Sequence, residues 1–150
     1  MKKKIACVLV VLAASLLAIW LPTNAQNADD AAIRATIENY FKGHATGNGE
    51  HFKKAFHPEA KLWWVRDGQA AQLTSAEYIA RASGKPPADE AQRKRSIARV
   101  DITGNAAVVK VILDYPNTRF TDYMSMLKTG GEWKIVNKTY VSEPKTAGAK

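Results

Sequence analysis

The chain has 150 residues with 22 basic and 14 acidic side chains, a formal charge of +8 and a mean hydropathy of -0.29. That length suits one ordinary domain with one proper core rather than two. The lone cysteine, Cys7, excludes an internal disulfide and falls in a segment expected to be removed, which excludes thiol catalysis as well.

Met1 to Lys4 form a positively charged start, Ile5 to Leu21 are almost unbroken apolar, and Thr23-Asn24-Ala25 supply small residues before a cleavage point. This is the grammar of a secretory signal peptide over 1–25, with an uncleaved membrane anchor as the other reading of the same segment. Cys7 lies too early in the apolar run to end a lipoprotein signal. Export to the periplasm or the medium follows as an expectation, with no membrane association after cleavage. Without Lys2, Lys3 and Lys4, 19 basic residues face 14 acidic ones, so the mature surplus is five. Much of it sits in Arg93-Lys94-Arg95. With no recognition module beside it, that run reads as a solvated loop and strand start rather than a nucleic-acid site.

In chain order, Asp29 or Asp30 is placed to cap a helix whose buried stripe is Ile33, Ile37, Tyr40, Phe41 and His44. Gly47 and Gly49 end it, and a short helix through Phe52 and Phe56 stops at Pro58. Ala60 to Val65 reads as a strand, and Asp67-Gly68 turns it into Gln69 to Leu73. Thr74-Ser75-Ala76-Glu77 is a capping box opening a helix with Tyr78, Ile79 and Ala82 inward. Ser83 to Glu90, carrying Gly84, Pro86 and Pro87, is a loop.

Strands follow. Ser96 to Ile102 is read with Ala98, Val100 and Ile102 on one face, and Ala106 to Tyr115 with Ala107, Val109, Val111, Leu113 and Tyr115 on one face. Arg119 to Lys128 and Glu132 to Val141 flank Thr129-Gly130-Gly131 as an antiparallel hairpin, the first strand presenting Phe120, Asp122, Met124 and Met126 together. Helices first and a meander of long strands last is the pattern of an α+β fold, with helices on one side of a curved antiparallel sheet. The domain is expected over 26–144, with 145–150 a flexible tail.

An amphipathic first helix, then Phe56-His57-Pro58-Glu59-Ala60, then a meander closing on Gly131-Glu132-Trp133-Lys134-Ile135-Val136-Asn137-Lys138 resembles the nuclear transport factor 2-like superfamily. Within it, the chain is similar to the "putative lumazine-binding" branch, near the SnoaL-like polyketide cyclases, across 29–141. The resemblance implies a cone, a strongly bent, mostly antiparallel sheet wrapped around helices with a pocket inside. It also implies a homodimer through the outer sheet face.

Tyr40, Trp63, Trp64, Tyr78 and Tyr115 are candidate pocket residues, since large rings with polar edges suit a flat or apolar ligand. Core filling is the other reading for each of them. Trp63 and Trp64 point to opposite faces of their strand, so one lines the interior. Asp122 is the first candidate for proton transfer, a carboxyl among apolar neighbours. The other reading makes it a structural acid paired with Arg119 or Lys138. His57 is either a proton shuttle or the peg of a helix-to-strand corner. Where several relatives of the resembled family carry a histidine on the last strand, this chain reads Val136-Asn137-Lys138-Thr139. Asn137, taken to share a face with Trp133 and Ile135, is a candidate hydrogen-bonding residue for a ligand. His44, His51 and His57 lack the spacing of a metal set, and no cofactor is expected. Three functions fit these residues: a small-ligand-binding domain without turnover, an acid–base enzyme of isomerase, dehydratase or cyclase type using Asp122, and a structural or partner-binding homodimer.

Overall fold

The computed structural model describes residues 24–146; the expected signal segment, apart from its last two residues, lies outside them. Helix α1 spans Asn24–Thr46 and α2 spans Gly49–Ala55. Strand β1 (Phe56–Arg66) and β2 (Gln69–Thr74) form a hairpin, and α3 (Ser75–Ile79) follows. After a loop and the short 3-10 turn Glu90–Gln92 come β3 (Lys94–Thr103), β4 (Ala106–Asp114), β5 (Thr118–Thr129) and β6 (Glu132–Pro144). The six strands make one curved sheet in the order β2-β1-β6-β5-β4-β3. Every pairing is antiparallel except β1 with β6, which is parallel, so the sheet is mixed.

Helix α1 packs its stripe Ile33, Ile37 and Tyr40, all wholly buried, against the concave side of the sheet. Each of the two isoleucines removed from water in this way is worth roughly 1.5–3 kcal/mol. Asp29 and Asp30 lie inside α1 rather than at its cap. Asp29 instead ties the helix to the β5–β6 turn: its Oδ1 accepts from Lys128 Nζ at 2.6 Å and from Trp133 Nε1 at 3.0 Å. Gly43 lets α2 approach closely, since a Cβ there would fall inside the Phe52 ring. The capping box forms as read, with Thr74 and Glu77 bonding each other's backbone N–H.

Bulges set the curvature, because an extra residue on one strand bends it and raises its twist. In β3 the register shifts between Ile97 and Arg99. Arg95 and Ile97 therefore turn inward, while Ala98, expected on the inner face, is exposed at the bulge. In β6 the pairing with β5 skips from Ile135 opposite Met126 to Asn137 opposite Ser125. One residue of slip exchanges faces. Trp133 and Ile135 are buried, and beyond the bulge it is Lys138, not Asn137, that is buried with them. Asn137 lies beside Ser125, an exposed residue of the outer face.

Two charged residues read as solvated turn out to be held. Arg95 donates to both carboxylate oxygens of Glu90 at 2.6 and 2.7 Å, and Arg93 lies 4.3 Å over the Tyr115 ring. Lys145, the first residue of the expected tail, donates its backbone N–H to Asn117 and pairs with Asp114.

Candidate functional site

Cross-strand pairs share a face, so the register builds the concave surface row by row. Lys138 lies opposite Met124 on β5 and next to Leu62 on β1. One pair further on, Asp122 faces Tyr140 on one side and Val111 on the other. Ala60 and Leu62 are buried, and alternation puts Trp64, not Trp63, on this same face. Trp64 packs on Tyr140 with ring centroids 5.6 Å apart, and Phe120 and Tyr115 continue the row of rings at 6.4 and 5.8 Å. Trp64, Phe120 and Tyr140 are half-buried at this end of the concave face.

Beneath those rings lies a buried polar cluster. Asp122 and Tyr40 are 0% exposed and Lys138 is 4% exposed. The Tyr40 hydroxyl donates to Asp122 Oδ2 at 2.7 Å and accepts from Lys138 Nζ at 3.0 Å. Lys138 also reaches Asp122 Oδ2 at 3.3 Å. The other carboxylate oxygen, Oδ1, is buried with no hydrogen-bond partner among the described residues. Of the two partners open to Asp122 in the sequence, Lys138 is the one that meets it, and Arg119 is exposed.

The electrostatics follow from this burial. Loss of water pulls the Lys138 amine below its usual value, and the Asp122 charge and hydrogen bond offset part of that. Burial, with the Asp122 charge beside it, pushes the Tyr40 phenol well above its usual value, so it remains a proton donor. Burial likewise raises Tyr78, again aided by Asp122. Tyr78 pairs its hydroxyl with His44 Nε2 at 3.0 Å. Burial, then the charges of Lys138, Arg95 and Arg93, push His44 well below the ordinary histidine value. His44 is therefore a neutral ring at physiological pH, stacked edge-on against Tyr40 at 4.7 Å.

The structure thus brings together Asp122, Tyr40 and, around them, Tyr78, Tyr115 and Trp64. Trp63 points away from them, paired with Gln72 and the exposed Thr139, and Asn137 is on the outer face. His57 stands apart. Its Nδ1 accepts the Glu59 N–H at 3.2 Å, and it lines a separate hollow of about 590 Å³ with Pro58, Ser75 and Ile79. The Phe56 ring separates that hollow from Tyr40, packing edge-on to it at 5.9 Å. Lys138, His44 and Arg95 are the polar residues of this interior that sequence patterning did not single out as site residues.

The outer face carries an open trough of about 780 Å³ between β3, β4 and β5, floored by Val108, Tyr123 and Leu127 and edged by Arg99, Asp101 and Lys110. Those three floor residues are exposed large hydrophobics.

A family model described as "Putative lumazine-binding" matches residues 28–141. The chain belongs to this family. It is a member of the nuclear transport factor 2-like superfamily, as its solved neighbours also show. One such neighbour is an NTF2-like protein of unknown function from Shewanella baltica OS155, 26% identical with a TM-score of 0.71, covering 79% of this chain and 96% of that one. Another, from Silicibacter pomeroyi DSS-3, is 24% identical with a TM-score of 0.69, covering 78% and 98%. Among named proteins, the chain is similar to Aldolase FrzH of Cladobotryum sp, 26% identical over 116 residues, which is 76% of this chain and 91% of that protein.

Proposed function

We propose that the chain is an exported protein that binds a small flat or apolar molecule. The ligand lies against Trp64, Tyr140 and Phe120, with Lys138 and Asp122 at the floor. The observation that carries this reading is the buried Lys138–Asp122 pair directly beneath half-buried rings. Taking two charges out of water costs several kcal/mol per ion, and apolar residues of similar volume would do as well for stability. A task other than folding explains why the pair is there. Lys138 has three N–H donors; Tyr40 and Asp122 engage two of them, and the third is available to a ligand carbonyl or other acceptor. Native mass spectrometry of residues 26–150 recovered from an exporting host tests this. A stoichiometric organic molecule is expected on the wild type and reduced on Tyr140→Ala. Equal retention by Tyr140→Ala, with loss on Tyr123→Ala of the outer face, would show that the ligand sits elsewhere.

The likeness to an aldolase supports a second reading, acid–base chemistry next to a carbonyl. Asp122 Oδ1, without a partner among the described residues, is placed to take a proton from carbon, and Lys138 and Tyr40 would hold the developing enolate oxygen. Turnover would appear as deuterium uptake by the bound molecule in heavy water, absent in Asp122→Asn. Exchange unchanged in that variant would eliminate Asp122 as the base. In either reading the apolar trough around Val108, Tyr123 and Leu127 pairs with a second copy of the chain. Sedimentation should then report a dimer that Val108→Asp dissociates.

A further inference from the structure

We propose that Lys138 is a covalent attachment point for carbonyl ligands, its amine condensing with a ketone or aldehyde carbon seated under Trp64 and Tyr140. This inference rests on the binding reading above and deepens it by naming the reactive class of ligand.

The geometry is that of an enclosed amine. Nζ lies 4.4 Å from the centre of the Tyr140 ring, 5.3 Å from Tyr40 and 5.5 Å from Tyr78. Its polar contacts are Tyr40 and Asp122 alone among the described residues. Within the cluster, Lys138 retains 4% exposure, and its Nζ packs against the half-buried Tyr140 ring. Desolvation shifts the amine toward its neutral, nucleophilic form.

The same neighbours satisfy the proton balance. Asp122, whose Oδ1 has no donor, takes the proton that Lys138 must lose. The nitrogen lone pair then forms the N–C bond while the carbonyl π pair moves onto oxygen, and the Tyr40 hydroxyl supplies that oxygen's proton. The added N–H proton returns to the Tyr40 phenolate, and Asp122 then gives its proton to the carbinolamine hydroxyl, which leaves as water while the nitrogen lone pair forms the C=N bond of a protonated imine. Amine and carbonyl become imine and one water, with no oxidant or reductant. A β-diketone takes the same path and ends as a conjugated enaminone, which absorbs in the near ultraviolet and reports the bond directly.

Benzoylacetone is a suitable probe, because its phenyl group matches the ring-lined entrance and its diketone gives the chromophore. With the wild-type chain, an absorbing adduct is expected to saturate at one per chain and to map to Lys138 by peptide mass. It should form faster than adducts at exposed lysines such as Lys61. Asp122→Asn/Lys138→Met removes both charges together and so guards against misfolding of a single variant. It is expected to melt cooperatively and to give no adduct. An adduct spread over exposed lysines, or one of equal yield in the double variant, overturns the proposal. Quenching of tryptophan fluorescence by the probe without an adduct also overturns it while leaving the binding reading in place, and neither signal defeats both.

Discussion

Replacing Lys138 by methionine preserves the length of the side chain and removes its charge, leaving the Asp122 carboxyl fully buried with the Tyr40 hydroxyl as its remaining partner among the described residues. Lys138 Nζ and Asp122 Oδ2 are 3.3 Å apart. At an effective dielectric near 20, that separation corresponds to about 5 kcal/mol of attraction. Breaking a buried pair from one side costs about 3–5 kcal/mol, a large share of the roughly 5–15 kcal/mol that holds a domain together. Lys138→Met should therefore lower the urea midpoint sharply at an unchanged m-value, followed by fluorescence of Trp63, Trp64 and Trp133. Asp122→Asn on top of it removes the stranded charge and should recover most of the loss, giving a large favourable coupling in the double-mutant cycle. A single-variant cost below about 1 kcal/mol, the value of an exposed pair, would mean that water reaches these groups and that the cluster is not sealed.

Other outcomes follow from named contacts. The folded His44 titrates below its unfolded value of 6.5, so on acidification the unfolded chain takes up a proton before the folded one does. Stability should fall as pH drops below about 6.5, by up to about 1.4 kcal/mol per unit, and flatten once the folded ring is also protonated; urea midpoints of His44→Gln should lack this component. Gly43→Ala should cost about 1–3 kcal/mol by wedging α1 away from Phe52, although alanine is the better helix former by about 1 kcal/mol. A stabilised Gly43→Ala variant in thermal melts would show that α1 and α2 are not in close contact there. Asp29→Ala should raise amide exchange along the start of α1, since Lys128 and Trp133 lose their shared acceptor.

Most of the architecture was written in local pattern. Alternation along β4 and β5, the Gly130-Gly131 turn with both glycines at positive φ, and the Thr74–Glu77 box are each decided by residues within a few positions of one another. The concave cluster was legible only in part, because its decisive event is a bulge. One extra residue near Val136 exchanges the faces of Asn137 and Lys138, and nothing in the composition of β6 announces it. Ala98 was misplaced for the same reason in β3. Arg93 and Arg95 looked solvated because Tyr115, which both approach, is some twenty positions away. The parallel β1–β6 pairing, which brings Leu62 next to Lys138, is similarly non-local. His44 was readable as one position of a buried stripe, but its partner Tyr78 lies on a different helix.

The central claim is that ligands enter at the ring-lined end of the concave face. Protein-observed NMR with a library of small aromatic carbonyl compounds tests it most directly, because both faces of the sheet report in one spectrum. The account predicts shifts concentrated at the Trp64 indole N–H and at the amides of Lys138, Tyr140 and Phe120. Shifts confined to Val108, Tyr123 and Leu127 on the outer face, with the Trp64 indole unmoved, would contradict it.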